Sequence, residues 1–129
     1  MPKSKPNPYI PNDLKPWPHE LRVAKILADA GYIVEFLPTG PHKTADILLD
    51  GIEFEIKTPE KFNPNTLDHT IRRAIRQSPN LIIDTSRLKY IDEVKTKRFL
   101  VGQAHKAKML KRMLMLTNHG QIIDIFTLV

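Results

Sequence analysis

In "WPHELRVAKILADAG" apolar residues return at Val23, Ala24 and Leu27, the period of a helix with one buried stripe. Pro18 suits the first turn and Gly31 is a natural stop, so a helix is predicted between them. "YIVEFLP" has the β-branched and aromatic content of a strand ended by proline, and "TGPHKT" reads as a loop. "ADILLD" and "IEFEIKT" read as two strands separated by Asp50-Gly51, the favoured dipeptide of a two-residue type I′ turn, and together predict a hairpin.

A second helix is predicted from a cap at Asn65 or Thr66 to about Ser78, with Leu67, Ile71, Ala74 and Ile75 as its stripe and Pro79 as its stop. "NLIIDTS" is the short apolar run of a strand buried on both faces. Residues 88–111 read as partly helical, with Gly102 interrupting the pattern. "RMLMLT", "NHG" and "QIIDIFTL" make a second strand, turn and strand. Met109, Met113 and Met115 read as core filler. Residues 1–17, with five prolines and no hydrophobic period, predict an extended arm whose end Trp17 pins to the body. The order of elements is that of an α/β sandwich with a mixed central sheet, and residues 18–129 form a single domain.

A chain of 129 residues, 41% hydrophobic, can build one core. No apolar run approaches the roughly 20 residues of a membrane span, so no membrane partner is expected. Cysteine is absent, which removes disulfide scaffolds and thiolate metal sites. The first residues lack the apolar stretch of a secretory signal, and the cytoplasm is the expected site of action.

The formal net charge of +6 points to a polyanionic partner, and its distribution sharpens the point. Residues 18–60 carry four basic side chains against eight acidic ones, whereas residues 61–129 carry thirteen against five. An acidic centre beside a basic flank suits a metal site next to a phosphate-binding surface; a solvated basic face without a ligand has the same composition.

The acidic centre has an internal order. Alternation along the third strand turns Ile52, Phe54 and Ile56 one way and Glu53, Glu55 and Lys57 the other. A strand facing water would alternate likewise. The tight turn, however, brings Asp46 toward Glu55 or Glu53, and carboxylates that close repel unless Lys57 or a cation neutralises them. A divalent ion fits such a group. Glu20 falls on the buried stripe of the first helix, where it either faces the sheet or answers the positive helix N-terminus. On the second helix His69, Arg72 and Arg76 share a face with Arg73 and Gln77 beside them, a row that can grip successive phosphates or form an ordinary solvated face. The histidines His19, His42, His69, His105 and His119 show no metal-ligand spacing and read as surface or capping residues.

Glu20 in a helix before a glycine, then Asp46, then Glu55-Ile56-Lys57 on the third strand resemble the PD-(D/E)xK nuclease superfamily. That resemblance covers residues 18–85 and implies a restriction-endonuclease-like core of helix, three strands, helix and strand. "HELRVAKILADAGYIVEFLP", "KTADILLDGIEFEIKTP" and "IRRAIRQSPNLIID" are together similar to the C-terminal toxin domains of contact-dependent growth-inhibition proteins of the CdiA type, several of which cleave transfer RNA. The proline of the name-giving dipeptide is replaced by Ala45, and the chain beyond residue 86 has no counterpart in the motif.

The resemblance implies a phosphodiester hydrolase with Glu20, Asp46, Glu55 and Lys57 as catalytic residues. A divalent metal, Mg²⁺ or Mn²⁺, would sit on Asp46, Glu55 and Glu20, and nucleic acid, transfer RNA foremost, on His69, Arg72, Arg73, Arg76 and Gln77. Glu53 matches the strand face but not the motif position. The resemblance also implies an immunity protein as partner and membership of a secreted toxin system. Two alternatives stay open: a metal-independent ribonuclease of the barnase-EndoU-colicin-RelE type, with His69 or His42 as acid–base groups, and a non-catalytic nucleic-acid-binding module.

Overall fold

The first helix, α1 (Pro18–Asp29), starts at the proline and ends before Gly31, whose φ of +102° is the left-handed turn that closes helices. After β1 (Val34–Phe36) come β2 (Ile47–Leu49) and β3 (Ile52–Lys57), joined by Asp50 and Gly51 with φ of 50° and 83°. Two successive positive φ values are what a type I′ turn demands, and the predicted hairpin is present. Next are α2 (Pro64–Ile75), β4 (Asn80–Asp84), α3 (Glu93–Lys106), β5 (Arg112–Leu116), β6 (Ile122–Asp124) and a 3₁₀ turn, Ile125–Leu128. These positions come from a computed structural model, which describes residues 7–38, 45–89 and 92–129.

The six strands lie side by side in the order β1-β2-β3-β4-β5-β6. β1, β2 and β3 pair antiparallel, β3, β4 and β5 pair parallel through the α2 and α3 crossovers, and β6 returns antiparallel to β5. The mixed sheet and the order helix, three strands, helix, strand are therefore both present. All five residues of β4 are buried, because helices cover both faces of the sheet at its centre.

On one face α1 buries Val23, Ala24 and Leu27 against Phe54, Ile56, Ile82 and Leu114. On the other, Ile71 and Ala74 of α2 and Leu100 and Ala104 of α3 pack with Leu81, Ile83, Met113 and Met115. α1 is also tied to the sheet by charge: Arg22 Nη1 lies 3.2 Å from Oδ1 of Asp84, a wholly buried carboxylate that also accepts a bond from the Ser86 N–H.

Several expectations are corrected. Trp17 does not pin the arm: its side chain is 69% exposed, and the arm is held by Leu14, packed on the α1 core, and by Tyr9, whose N–H and C=O bond to Val34 and Phe36 of β1. The α2 cap is Asn63 rather than Asn65 or Thr66. Its side chain accepts from both of their N–H groups, with Pro64 at the first position, and the helix ends at Ile75 instead of Ser78.

Gly102 does not break α3; the helix runs through it because Leu100, Gln103 and Ala104 are buried around it. "QIIDIFTL" is a strand only to Asp124, whose side chain accepts from the Phe126 N–H and turns the chain into the 3₁₀ segment. Met109 is exposed, while Met113 and Met115 are core. Ile52, at the hairpin tip, is exposed although Phe54 and Ile56 are buried. The loop "TGPHKT", with His42, lies outside the described residues.

The Arg22–Asp84 pair is asymmetric, since Asp84 is wholly buried and the Arg22 side chain is partly solvated. Arg22→Ala strands a buried carboxylate and is expected to cost about 3 kcal/mol. Asp84→Asn is expected to cost clearly less, and the double variant less than the sum, measured by urea denaturation.

Candidate active site

Asp46 immediately precedes β2, and the register Ile47↔Phe54 sets it beside Glu55. Its own N–H donates to the Phe54 carbonyl at 3.1 Å, and its Oδ2 accepts the Ile56 N–H at 2.8 Å. The carboxylate thus takes the place of a backbone acceptor where the β2–β3 ladder ends, which fixes its position. Glu55, from the middle of the sheet, is only 2% exposed. Lys57, one strand repeat further on the same face, places Nζ 3.5 Å from Glu55 Oε2. Asp46, Glu55 and Lys57 are brought together.

The electrostatics of the trio are uneven. Burial pushes the Glu55 carboxyl from its ordinary 4.5 up to about 8, and a hydrogen bond with Asp46 and that carboxylate's charge push in the same direction; Lys57 pulls it down, but less. At neutral pH Glu55 therefore holds a proton and donates it to Asp46. A carboxyl kept protonated by burial, with a second carboxylate bonded to it, is a pair that a cation could relieve. Asp46 and Glu55 supply the one or two carboxylates that Mg²⁺ ordinarily takes from a protein.

Glu20 stands apart from this pair. One of its oxygens accepts the Trp17 N–H at 3.0 Å, closing the first turn of α1. It shares with Asp46 a cleft of about 340 Å³ whose other wall is the arm, through Asp13, Leu14, Lys15 and Trp17. Among the described residues no three His, Asp or Glu side chains gather as a ready-made metal cage. Glu53 is exposed and contributes through its carbonyl, which accepts from Ser78 Oγ and Asn80 Nδ2, both at 3.0 Å.

His69, Arg72 and Arg73 of α2 and Arg76, its C-terminal cap, line one cleft of about 290 Å³. Arg72 is partly committed, with Nε 3.0 Å from Asp68. The Asp68 carboxyl is held below its ordinary range by a hydrogen bond from Gln103, and further by Arg72 and Lys106. Gln77 lies past the end of α2 and does not line this cleft. The arginines occupy the end of α2 that leads into β4, whereas Lys57 leads into the opposite end, at the Asn63 cap. That opposite end has basic residues of its own: Lys61, Lys89 and Lys95 line a cleft of about 480 Å³ with Phe62.

Two features lie outside the expectations from sequence. Asp84 ends an apolar run, and a charge ending a strand buried on both faces was the signal that it needs a partner such as Arg22. The arm as a wall of the Glu20–Asp46 cleft left no signal, since it depends on Tyr9 pairing with β1.

A mixed α/β sheet with two carboxyls and a lysine side by side at the open end of its β2–β3 hairpin defines a small α/β domain with an acidic pair beside an ammonium. Residues 43–122 match the contact-dependent growth inhibition CdiA C-terminal domain, and the chain belongs to this family of toxin domains. The structure is similar to that of the CdiA-CT/CdiI toxin and immunity complex from Burkholderia pseudomallei, with a TM-score of 0.68 and 20% identity over 82% of this chain and 80% of that one. No curated protein matches the sequence. Among the described residues no helix is long and apolar enough to cross a membrane.

Between pH 4.5 and about 8 the folded chain keeps a Glu55 proton that the unfolded chain releases, so folding stability falls as pH rises through this window. Glu55→Gln is expected to flatten that slope and to be more stable than wild type at pH 8, read from denaturation midpoints at pH 5 and pH 8.

Proposed function

We propose that this domain is a metal-dependent nuclease that cleaves transfer RNA as the toxic part of a contact-dependent growth-inhibition system, acting in the cytoplasm of a target cell. The observation that carries this reading is the convergence of Asp46, Glu55 and Lys57, with Nζ 3.5 Å from a buried carboxyl that shares a proton with its neighbour. The order helix, three strands, helix, strand supports assignment to the PD-(D/E)xK superfamily, and the family match supports the toxin role.

Asp46 and Glu55 would hold Mg²⁺ or Mn²⁺, and Glu20 would reach it through water. The chemistry such an ion supplies is Lewis-acid polarisation of the phosphate and a lowered pKa for a water molecule. The Glu55 proton would be displaced to solvent by a cation held there. Lys57 would stabilise the negative charge that develops as water adds to phosphorus and loses a proton to solvent, while the P–O bond breaks and the leaving oxygen takes up a proton from solvent. Lys61, Lys89 and Lys95 at the Lys57 end, and Arg72, Arg73, Arg76 and His69 at the other, would hold the RNA backbone on either side. A second reading has one observation in its favour: His69 shares its cleft with three arginines, as a metal-independent ribonuclease needs of an acid–base group.

Incubation with total transfer RNA separates these readings. Cleavage is expected with Mg²⁺ and not with excess chelator, and Asp46→Asn, Glu55→Gln and Lys57→Ala are each expected to lower it by about 10²- to 10³-fold while RNA binding is largely kept. Chelator-resistant cleavage lost in His69→Ala would establish the second reading. Binding without cleavage under any condition would leave a binding module. Independently of activity, Mg²⁺ is expected to raise the melting temperature of the wild-type chain at pH 8 and not that of Asp46→Asn.

An immunity protein is the proposed partner, by analogy with the toxin and immunity complex that the fold resembles. Expression of the wild-type chain alone is expected to arrest growth. Lys57→Ala should relieve the arrest, as should co-expression of a protein encoded beside it that binds the chain tightly.

A further inference from the structure

The geometry points to Trp17 as a stacking platform for an unpaired base next to the scissile phosphate, a substrate-positioning role that rests on the nuclease reading above. Trp17 lines the same cleft as Glu20 and Asp46, yet its side chain is 69% exposed. An indole left in water gives up a large burial energy, and neither the core nor the arm uses this one. Its backbone is held in place. Pro16 and Pro18 flank it, and a residue before proline is confined to extended backbone, as its φ of −65° and ψ of 150° show. Its N–H is bonded to Glu20 at 3.0 Å.

An amphipathic ring on a fixed backbone at the mouth of a polar cleft can meet a flat partner at a reduced ordering cost. Lys15, two residues earlier on the same wall, can meet the phosphate that joins this base to the next. Phe62 is a poorer platform: its ring already meets Phe99 edge-on at 5.7 Å and the Lys95 ammonium at 5.9 Å. The ligand class is therefore a single-stranded stretch of RNA, such as a loop or an end, rather than a duplex whose bases are already stacked.

Trp17 is the sole tryptophan, so its fluorescence reports on this site directly. The test titrates the full chain, in chelator, with three probes: a single-stranded RNA decamer, the same sequence as a duplex, and an abasic decamer with an identical backbone. Saturable quenching is expected with the first and little with the other two. Trp17→Ala should weaken binding of the base-bearing strand by about tenfold and leave the abasic strand unchanged, with Trp17→Phe recovering much of the loss.

Unquenched fluorescence at saturation overturns the inference, as does an equal loss of affinity for both single strands or no loss for either. The nuclease reading fails separately. Absence of cleavage with quenching and base-dependent loss intact would leave the stacking site standing, whereas cleavage unchanged in Trp17→Ala would remove the site and keep the nuclease.

Discussion

Everything at the centre of this domain follows from the register of one hairpin. The Asp50-Gly51 turn admits two residues and no more, so Leu49 must face Ile52, Ile47 must face Phe54, and Asp46 falls beside Glu55. A slip by one residue would send Phe54 out of the α1 core and Glu55 into it, at a cost that no charged pair repays. The apolar half of the strand thereby fixes the position of the acidic half. Two carboxyls locked that close in a buried place cannot both ionise without help, and the protein meets this with a proton and an ammonium.

The polar groups gather where a sheet of this kind can carry them. Lys57 and Asp84 stand at the carboxyl ends of the parallel strands β3 and β4, the edge at which open α/β sheets receive ligands. Thr58 Oγ1 and Asp84 Oδ2 are buried there without hydrogen-bond partners among the described residues. Below this edge β4 is apolar at Leu81, Ile82 and Ile83, which pack into the two helical layers. The amino end of α1 brings Glu20 and Arg22 to the same edge, one toward Asp46 and the other onto Asp84.

Much of this was legible in the sequence because the relevant signals are local. Period and turn chemistry located α1, the hairpin and β4, and the alternation of "IEFEIK" separated Phe54 and Ile56 from Glu55 and Lys57. The signals failed where local preference met tertiary contact. Asn65 and Thr66 are good caps, but Asn63 precedes Pro64 and wins. Gly102 weakens a helix by about 1 kcal/mol, which the packing of α3 on the sheet overrides. Trp17 is expected to pin the arm to the body, but its proline neighbours and its N–H bond to Glu20 hold it where the core does not reach. Long-range features, the Arg22–Asp84 pair and the arm beside β1, depend on topology that composition does not carry.

The spatial order of the six strands repeats their order in the chain. Every strand therefore finds its neighbour next in sequence, and no distant segment must be captured before the sheet can grow. Loop-closure entropy is met in small steps, beginning with a two-residue hairpin and continuing through single-helix crossovers. Assembly can spread outward from that hairpin in both directions, so the element that aligns the acidic pair is also the one best placed to start the fold.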